Sequence, residues 1–287
     1  MMIYSNFWMK EKVMKRLHCK SYAKLNLCLH VLNRREDGYH NIQSIFQAID
    51  LHDNITFEKN EGNRINLETN NKNLTNEDNL IIKACSVLSQ KYNLDMGLNI
   101  SLTKNIPIGS GLGGGSSNAA VTLHAINRLY DIQLSQGDLL SFAERVGSDV
   151  PFFINGGTAE VSGRGDIINK ISSKQKFYVL IFPDISIVTR EIYSLISKKD
   201  YSDEQDLENL LGSKLNTFEH AVMEKYPELN QTKYWLSSLG RVRMSGTGST
   251  LYIEFDSYES AIKANKEIGD RYRSKMVSSL ESYDIFS

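Results

Sequence analysis

Apolar residues in the first third of the chain fall in short blocks separated by polar turns. The nearly continuous apolar block from Tyr22 to Leu32 predicts a well-buried strand. A turn signal at Asp37-Gly38 follows, and Ile42–Ile49 predicts the next strand. Two more short strands are predicted at Ile55–Glu58 and Asn63–Glu68.

Helical spacing of apolar residues begins after an Asn-rich turn near residues 70–76. Asn79 is predicted to cap a helix whose buried face carries Leu80, Ala84, Val87 and Leu88. Leu98–Thr103 alternates as a strand does, and a glycine-rich segment follows it. Two helices come next, the second opened by a capping box of Ser135 and Asp138.

The second half of the chain begins a new pattern around Lys174. Its predicted strands are Phe177–Phe182, Val242–Met244 and Thr250–Phe255, and its predicted helices are Thr189–Ser197, Leu207–Val222, Tyr226–Leu239 and one around Ala261–Ile268. Strands and helices are interleaved but partly segregated, which favours an α+β fold over a doubly wound sheet. We predict two domains, residues 1–170 and 171–287.

Composition narrows the possible partners. The 287 residues carry a formal net charge of −1, so neither a nucleic-acid-binding nor a membrane-surface protein is indicated. The three cysteines share no metal-ligand spacing, which favours a reduced, cytoplasmic compartment. Residues 1–20 lack the uninterrupted apolar core of a signal peptide, and the longest apolar run, near Tyr178–Phe182, is too short to span a bilayer.

The glycine-rich segment Pro107–Asn118 carries the strongest functional signal. Five of the seven residues from Gly109 to Gly115 are glycine, and an amphipathic helix is predicted directly after them. Glycine reaches positive φ freely, so successive backbone N–H groups can form an anion nest next to the positive end of that helix. A polyphosphate is the expected ligand.

Several phosphate-loop classes compete for this segment. A Walker A loop is excluded because no Gly-Lys-Ser/Thr follows Gly115. Gly109, Gly111 and Gly114 satisfy G-x-G-x-x-G, with Asp131 as a possible ribose ligand, so a nicotinamide dehydrogenase remains a weak alternative. Protein-kinase signatures are missing from the sequence.

The string Pro107–Ala120 resembles the ATP loop of the GHMP small-molecule kinases. The resemblance implies a two-domain GHMP kinase fold, with a ribosomal protein S5 domain 2-like N-terminal domain and a ferredoxin-like C-terminal domain. It implies ATP as co-substrate and Mg²⁺ as cofactor, with the metal ligands unassigned. The ATP-binding residues that it implies are Pro107, Ile108, Gly109, Ser110, Gly111, Leu112, Gly113, Gly114, Gly115, Ser116 and Ser117, with Asn79 and Lys104 as weaker candidates.

Further segments narrow the resemblance to GHMP kinases that phosphorylate a cytidine diphosphate-linked methylerythritol in isoprenoid precursor synthesis. These segments are Tyr22–Leu27, Gly38–His40, Gly147–Phe153, Asp78–Ile81, Asn216–Glu219 and Met244–Ser249, and the match spans roughly residues 20–255. It implies Lys24 and Asp149 as catalytic residues. The substrate residues that it implies are Asn26, Tyr39, His40 and Tyr193.

The residues themselves support part of this assignment. Lys24 and Asn26 are two apart on an apolar strand and therefore share one face. Burying an ammonium is costly without an anion nearby, which favours a functional lysine over a solvated one. For Asp149 the competing interpretation is a helix cap or turn residue, and for Tyr193 it is a core aromatic.

Two other functions remain open at this point. Another GHMP enzyme, of the homoserine or mevalonate type, would keep the loop but lack Gly38-Tyr39-His40. A nucleotide-binding regulator that has lost catalysis would keep the scaffold, although Lys24 and Asp149 argue against it. The expected partners are small molecules, and the chain is expected to be a monomer or a homodimer.

Overall fold

The computed structural model describes residues 14–71, 74 and 79–286, which form ten β-strands and nine α-helices. The strands are β1 (Arg16–Arg34), β2 (His40–Lys59), β3 (Ile65–Thr69), β4 (Leu98–Thr103), β5 (Thr158–Ser162), β6 (Ile167–Ile171), β7 (Phe177–Ile181), β8 (Val242–Met244), β9 (Leu251–Phe255) and β10 (Ser274–Ser278). The helices are α1 (Leu80–Tyr92), α2 (Gly114–Leu129), α3 (Gln136–Val146), α4 (Val150–Asn155), α5 (Thr189–Leu195), α6 (Leu207–Gly212), α7 (Glu219–Lys225), α8 (Pro227–Leu236) and α9 (Tyr258–Gly269). Residues 1–13, most of the Asn-rich turn predicted near residues 70–76, and Asp78 lie outside the described ranges.

The first six strands form one sheet. Its order is β3-β4-β2-β5-β6, with β1 also paired to β2, and the pairs are antiparallel except for the parallel β3–β4. Helices α1 to α4 pack with this sheet around a core that includes Phe46, Phe57 and Phe152. The parallel, doubly wound sheet that a nicotinamide dehydrogenase needs is therefore not the architecture of the described residues.

Strand β2 replaces two predicted strands. The prediction of separate strands at Ile42–Ile49 and Ile55–Glu58 is wrong, because β2 runs unbroken through both. The pairing with β1 shifts from Tyr22–His52 to Ala23–Ile49, so Asp50 and Leu51 form a bulge. A bulge bends a strand without ending it, and the polar residues that indicated a turn occupy that bend.

The last four strands form a second sheet in the order β10-β7-β9-β8, with every pair antiparallel. Helices α5 to α8 lie between β7 and β8 in the chain, and α9 lies between β9 and β10. This β-α-β-β-α-β sequence is the ferredoxin-like arrangement. It confirms the predicted α+β class and the predicted C-terminal fold.

The predicted helix Leu207–Val222 is wrong, because the chain forms two helices, α6 and α7. Between them the backbone pairs with β1: Leu29 N donates to Leu215 O at 2.8 Å, and Thr217 N donates to Leu29 O at 2.9 Å. Backbone groups used across strands cannot also close helical turns. The predicted helix Tyr226–Leu239 is also shorter, since α8 ends at Leu236.

Residues 280–286 return to the first sheet after β10. Leu280 N donates to Ala48 O at 2.9 Å, and Lys20 N donates to Ile285 O at 2.8 Å. The Ile285 side chain is 8% exposed and belongs to the core of the first sheet. The division into domains at residue 170 stays a prediction. In the described part of the chain, no helix combines the length and apolarity that a membrane crossing requires.

Candidate active site

The glycine-rich loop joins β4 to α2 and alternates in backbone conformation. Gly109, Gly111 and Gly113 have φ of +63°, +75° and +69°, the left-handed region that glycine enters without a Cβ clash. Helix α2 begins at Gly114 with Gly113 as its N-cap. The prediction that the helix begins only after the glycines is therefore wrong. The first N–H groups of α2 are the backbone of glycines, where an anion can approach closely.

A second loop, residues 245–249, packs against the glycine-rich loop, and hydrogen bonds join the two segments. Ser245 Oγ donates to Gly111 O at 3.0 Å, and Thr250 N donates to Ser110 O at 3.3 Å. A Cβ built on Gly111 would lie 2.1 Å from Ser245 O, so no other residue fits there. In sequence, this second loop carries part of the resemblance but no predicted role.

Side chains of the loop differ in their availability to a ligand. Ser110 Oγ donates to Pro107 O at 2.6 Å, and Leu112 is buried in the core. Ser117 is buried, and its Oγ accepts from Ser21 Oγ at 2.7 Å. Ile108 is half exposed at the outer side of the loop. These residues would contribute mainly backbone to a phosphate site.

Lys24 and Asp149 come together beside this loop. Lys24 Nζ lies 3.6 Å from Asp149 Oδ2, although the two residues are far apart in sequence. A Cβ built on Gly113 would lie 3.2 Å from Lys24 Cε, so the lysine runs along the end of the loop. Lys24 N also donates to Leu112 O at 3.0 Å, which ties β1 to the loop.

The environment of Lys24 acts on its charge in two opposite ways. The side chain is almost completely buried, and this desolvation lowers the pKa of the Lys24 ammonium below the ordinary value of 10.5. The Asp149 carboxylate opposes the shift and raises the pKa. Phe46 places its ring face 4.5 Å from Nζ and adds a cation–π contact. The ammonium is thus desolvated but kept beside an anion.

Asp149 occupies the N-cap position of α4 with φ of −84°. Within the described residues its carboxylate makes no capping hydrogen bond to that helix, so the interpretation of Asp149 as a side-chain cap fails. The carboxylate instead lies between Lys24 and the β5–β6 turn, where a Cβ built on Gly165 would be 3.3 Å from Asp149 Oδ1. It is only partly buried and can meet an incoming hydroxyl group.

Asn26 lies beside Lys24 and is fully engaged with protein groups. Its Oδ1 accepts from Lys24 Nζ at 2.5 Å, and its Nδ2 donates to Ser44 Oγ at 3.0 Å. Its backbone carbonyl accepts from Tyr252 Oη at 2.8 Å. Asn26 therefore orients the lysine, and its predicted contact with substrate stays a prediction.

Tyr39, His40 and Tyr193, the three aromatic residues predicted to bind substrate, are together termed the aromatic cluster. The rings of His40 and Tyr193 have centroids 5.2 Å apart, and Tyr193 also packs edge-on against buried Phe218 at 4.6 Å. Burial, followed by the Arg34 charge, lowers the pKa of His40, which favours a neutral imidazole. Tyr39 is 54% exposed, with the Arg164 guanidinium 5.3 Å from its ring centroid.

The Asp149 charge also acts on Tyr193. Burial raises the pKa of its phenol, and the Asp149 charge raises that pKa further. The aromatic cluster and the Lys24–Asp149 pair therefore belong to one region. Tyr193 is both a partly buried packing residue and a candidate substrate residue.

Lys104 has a structural partner that was not predicted from sequence, whereas Asn79 makes the predicted cap of α1. Lys104 Nζ forms an ion pair with Asp53, and a Cβ built on Gly114 would lie 3.0 Å from that nitrogen. Asn79 Oδ1 caps α1 by accepting from Ile81 N at 3.0 Å. Lys104 thus stays close to the loop, whereas the Asn79 amide is used by its own helix.

Three parts of the region were given no functional role from sequence. They are the second loop at Ser245, the β5–β6 turn at Arg164-Gly165, and the buried carboxylate Asp53. The paired glycines in Gly163-Arg164-Gly165 were an available signal, because Gly163 and Gly165 both have positive φ. Asp53 offered no signal, since a lone aspartate on a strand resembles any edge residue.

Comparison with known proteins gives a consistent result. Family models described as "GHMP kinases N terminal domain" and "GHMP kinases C terminal" match residues 79–157 and 192–274. A curated protein of Pasteurella multocida named 4-diphosphocytidyl-2-C-methyl-D-erythritol kinase is 40% identical over 87% of this chain and 85% of its own length. One of the same name from Prochlorococcus marinus is 39% identical over 89% of this chain and 91% of its own length.

Solved structures agree with the curated relatives. A crystal structure titled 4-(cytidine 5'-diphospho)-2C-methyl-D-erythritol kinase matches with a TM-score of 0.80 and 28% identity, covering 92% of this chain and 99% of that one. Homoserine kinase from Cytophaga hutchinsonii matches with a TM-score of 0.71 and 17% identity, covering 95% and 96%. The second likeness concerns the fold alone.

Proposed function

The chain belongs to the 4-diphosphocytidyl-2-C-methyl-D-erythritol kinase family of the GHMP kinases, and from this membership we propose how its residues divide the work of the reaction. The reaction is the ATP-dependent phosphorylation of the 2-hydroxyl group of 4-diphosphocytidyl-2-C-methyl-D-erythritol, in non-mevalonate isoprenoid precursor biosynthesis. The residue assignments that follow are our proposal.

The observation that carries the proposal is the Lys24–Asp149 pair beside the glycine-rich loop, with 3.6 Å between Nζ and Oδ2. Asp149 accepts the proton of the attacking hydroxyl group as the phosphoryl group arrives. Lys24 stabilises negative charge that develops on the attacking and transferring oxygens. Asn26 orients the ammonium through its 2.5 Å hydrogen bond.

The glycine-rich loop holds the phosphates of ATP. Backbone N–H groups of residues 109–115 and the N-terminus of α2 supply fixed dipoles for the β- and γ-phosphates, which suits a reaction governed by positioning and electrostatics. No cluster of three or more His, Cys, Asp or Glu side chains within 14–71, 74 and 79–286 could hold a metal ion. Mg²⁺ would be held by the phosphates of ATP and the hydroxyl of Ser116, which fit its preference for oxygen, and it would neutralise phosphate charge.

The aromatic cluster recognises the cytosine of the substrate. His40 hydrogen-bonds the base edge, and Tyr39 and Tyr193 cover its two faces, each stack contributing about 1–3 kcal/mol. In support of this, Tyr39 is exposed and Tyr193 packs edge-on against buried Phe218. These residues separate the proposed substrate from homoserine or mevalonate, which carry no base.

The test is a substrate panel. We expect ADP release when ATP is supplied with the cytidyl substrate, and only background release with homoserine or mevalonate. The doubly substituted variant Lys24→Met/Asp149→Asn serves as the inactive control, since it removes both proposed catalytic groups while nearly conserving their volume.

Two results would contradict the proposal. Phosphate transfer to homoserine or mevalonate, with none to the cytidyl compound, would assign the chain to another GHMP activity. ATP binding without turnover on any alcohol would favour a nucleotide-binding regulator on the kinase scaffold.

A cytoplasmic location and a monomeric or homodimeric state remain predictions. Cys19, Cys28 and Cys85 are free and buried, and burial raises the pKa of each thiol. Such thiols are poor nucleophiles and suit a reducing compartment. Size-exclusion chromatography with light scattering would settle the oligomeric state.

A further inference from the structure

Asp53 is the described carboxylate most completely removed from solvent near the glycine-rich loop. It lies on β2 just after the bulge and has 0% exposure. A buried carboxylate is costly unless hydrogen bonds and charges satisfy it. Its partners should therefore reveal why it is there.

One oxygen of Asp53 accepts hydrogen bonds from the two residues that precede the loop. Oδ1 accepts from Asn105 N at 2.7 Å and from Ile106 N at 2.8 Å. These two residues directly precede Pro107, where the loop begins. The carboxylate thus fixes the direction in which the chain enters the loop.

The other oxygen of Asp53 reaches the exit from the loop. Oδ2 accepts from Lys104 Nζ and, with the Asn118 amide oriented to satisfy both of its polar atoms, from Asn118 Nδ2 at 3.0 Å. In that orientation Asn118 Nδ2 also lies 3.1 Å from Gly114 O, in the first turn of α2. Lys104 Nζ lies against Gly114 as well.

We propose that Asp53 is a positioning residue for the phosphate loop: one carboxylate joins both ends of the loop and holds the Lys104 ammonium at the N-terminus of α2. This inference rests on the proposed function of the loop as the ATP site. Glycine-rich backbone loses more conformational entropy on ordering than any other, so a loop with three left-handed glycines needs such an external constraint. Asp53 touches neither the proposed catalytic pair nor the aromatic cluster.

The first test measures loop order without any ligand. Hydrogen–deuterium exchange is compared between the parent chain and Asp53→Asn, in peptides covering residues 105–118 and, as an internal reference, 242–255. We expect exchange to quicken in the first set and to stay unchanged in the second. Asp50→Asn is the matched control, because Asp50 is an exposed carboxylate on the same strand. Its Oδ1 accepts a hydrogen bond from Ser278 N, and Ser278 is far from the loop in sequence.

The second test measures binding of ATP and of the cytidyl substrate by calorimetry. A lost charge-assisted hydrogen bond should weaken ATP binding about tenfold or more in Asp53→Asn, while the dissociation constant of the cytidyl substrate stays within about twofold. A residue with only a general structural role would weaken both ligands alike. Asp50→Asn should leave both constants unchanged.

The variant Asp53→Asn leaves Lys104 without its counter-charge and could fail to fold. The double variant Asp53→Asn/Lys104→Gln removes both charges, and removing both partners is far better tolerated than removing one. It should fold and should still show faster exchange in residues 105–118.

The outcomes separate this inference from the proposed function. Unchanged loop exchange in a folded Asp53 variant overturns the positioning role, whatever the loop binds. Faster loop exchange with unchanged ATP affinity leaves Asp53 as an organiser of the loop but contradicts the loop as the ATP site.

Discussion

Lys24 shows how one side chain acquires its properties from elements that are distant in sequence. Its alternation with Asn26 on a strand was predictable, because every second residue of a strand faces the same side. Its contact with Asp149 was not predictable from spacing, because that contact requires β1 and the α3–α4 connection to meet. The resemblance to known kinases suggested the pair, whereas the burial that lowers the pKa of Lys24 is visible only in the folded chain.

Asp149→Asn should lower kcat by roughly 10²–10⁴-fold, because the amide cannot accept the hydroxyl proton. ATP binding should persist, since the glycine-rich loop is intact. Steady-state kinetics and ATP calorimetry check both expectations. Asp256→Asn, an exposed carboxylate of the second half that pairs with Lys176, is the matched control. Near-normal turnover in Asp149→Asn would remove the assigned role.

The Lys24 ammonium also predicts a pH dependence. Activity should be present below the pKa of Lys24 and lost as the pH rises through it, and burial places that pKa below 10.5. Since the Asp149 charge raises this pKa, the alkaline limb of residual kcat/KM should move to lower pH in Asp149→Asn. A full pH profile of both proteins measures the shift. A limb that stays in place or moves upward would show that another group controls it.

His40→Ala should chiefly raise KM for the cytidyl substrate and reduce the preference for cytosine over other bases. The reason is the loss of a neutral imidazole that lies against Tyr193. His18→Ala, which removes an exposed ring hydrogen-bonded to Thr56, is the control. A change in ATP affinity alone would contradict the assignment of His40 to the cytosine base.

At the scale of single elements, hydrophobic periodicity located most helices and strands and failed where the backbone makes unusual pairings. Strand β4 has the predicted bounds, and the capping box of Ser135 and Asp138 opens α3 as expected. The bulge in β2 and the bridge between Leu29 and Asn216 were missed. Both depend on tertiary hydrogen bonds that leave no periodic signal in sequence.

Gly115, in the first turn of α2, provides a test of the proposed ATP site. It is exposed, and a Cβ built there would meet only Leu80 Cδ1, at 3.9 Å. Folding therefore does not require glycine, and Gly115→Ala should raise the free energy of unfolding by about 0.5–1 kcal/mol. If phosphates approach this backbone, the same change should weaken ATP binding.

The matched control for Gly115→Ala is Gly137→Ala. Gly137 lies in the first turn of α3, is also exposed, and has only Ser135 Oγ, at 3.8 Å, near its built Cβ. It should gain similar stability without any effect on ATP. Chemical denaturation and calorimetry give both readouts. Equal ATP affinity in the two variants would place the phosphates away from the first turn of α2.

At the scale of the whole molecule, the two sheets are tied together by chain segments that cross between them. Leu29, Val31 and Ile42 of the long β1–β2 hairpin belong to the core of the second half. In the opposite direction, residues 280–286 leave the second sheet and pack on the first. The α+β class was predictable from the order of elements, but these crossings were not, because short apolar segments match many surfaces equally well.

Ile285→Ala should lower the free energy of unfolding by about 2–5 kcal/mol, since this side chain fills a core position of the first sheet. Ile262→Ala, at an exposed position on α9, is the control and should have little effect. Denaturant titrations of both variants provide the comparison. A small change at Ile285 would show that the segment rests on the sheet without contributing to its core.

The return of residues 280–286 to β1 has a consequence for protein synthesis. Ile285 and Phe286 pair with β1 at Lys20 and Cys19, yet the ribosome makes them after every other described element. Until these residues have been made, the backbone groups of β1 that pair with them are unsatisfied. Such an exposed strand edge can template pairing with other chains. The nascent polypeptide is therefore open to aggregation at this edge of β1 until residues 280–286 have been made and have folded back.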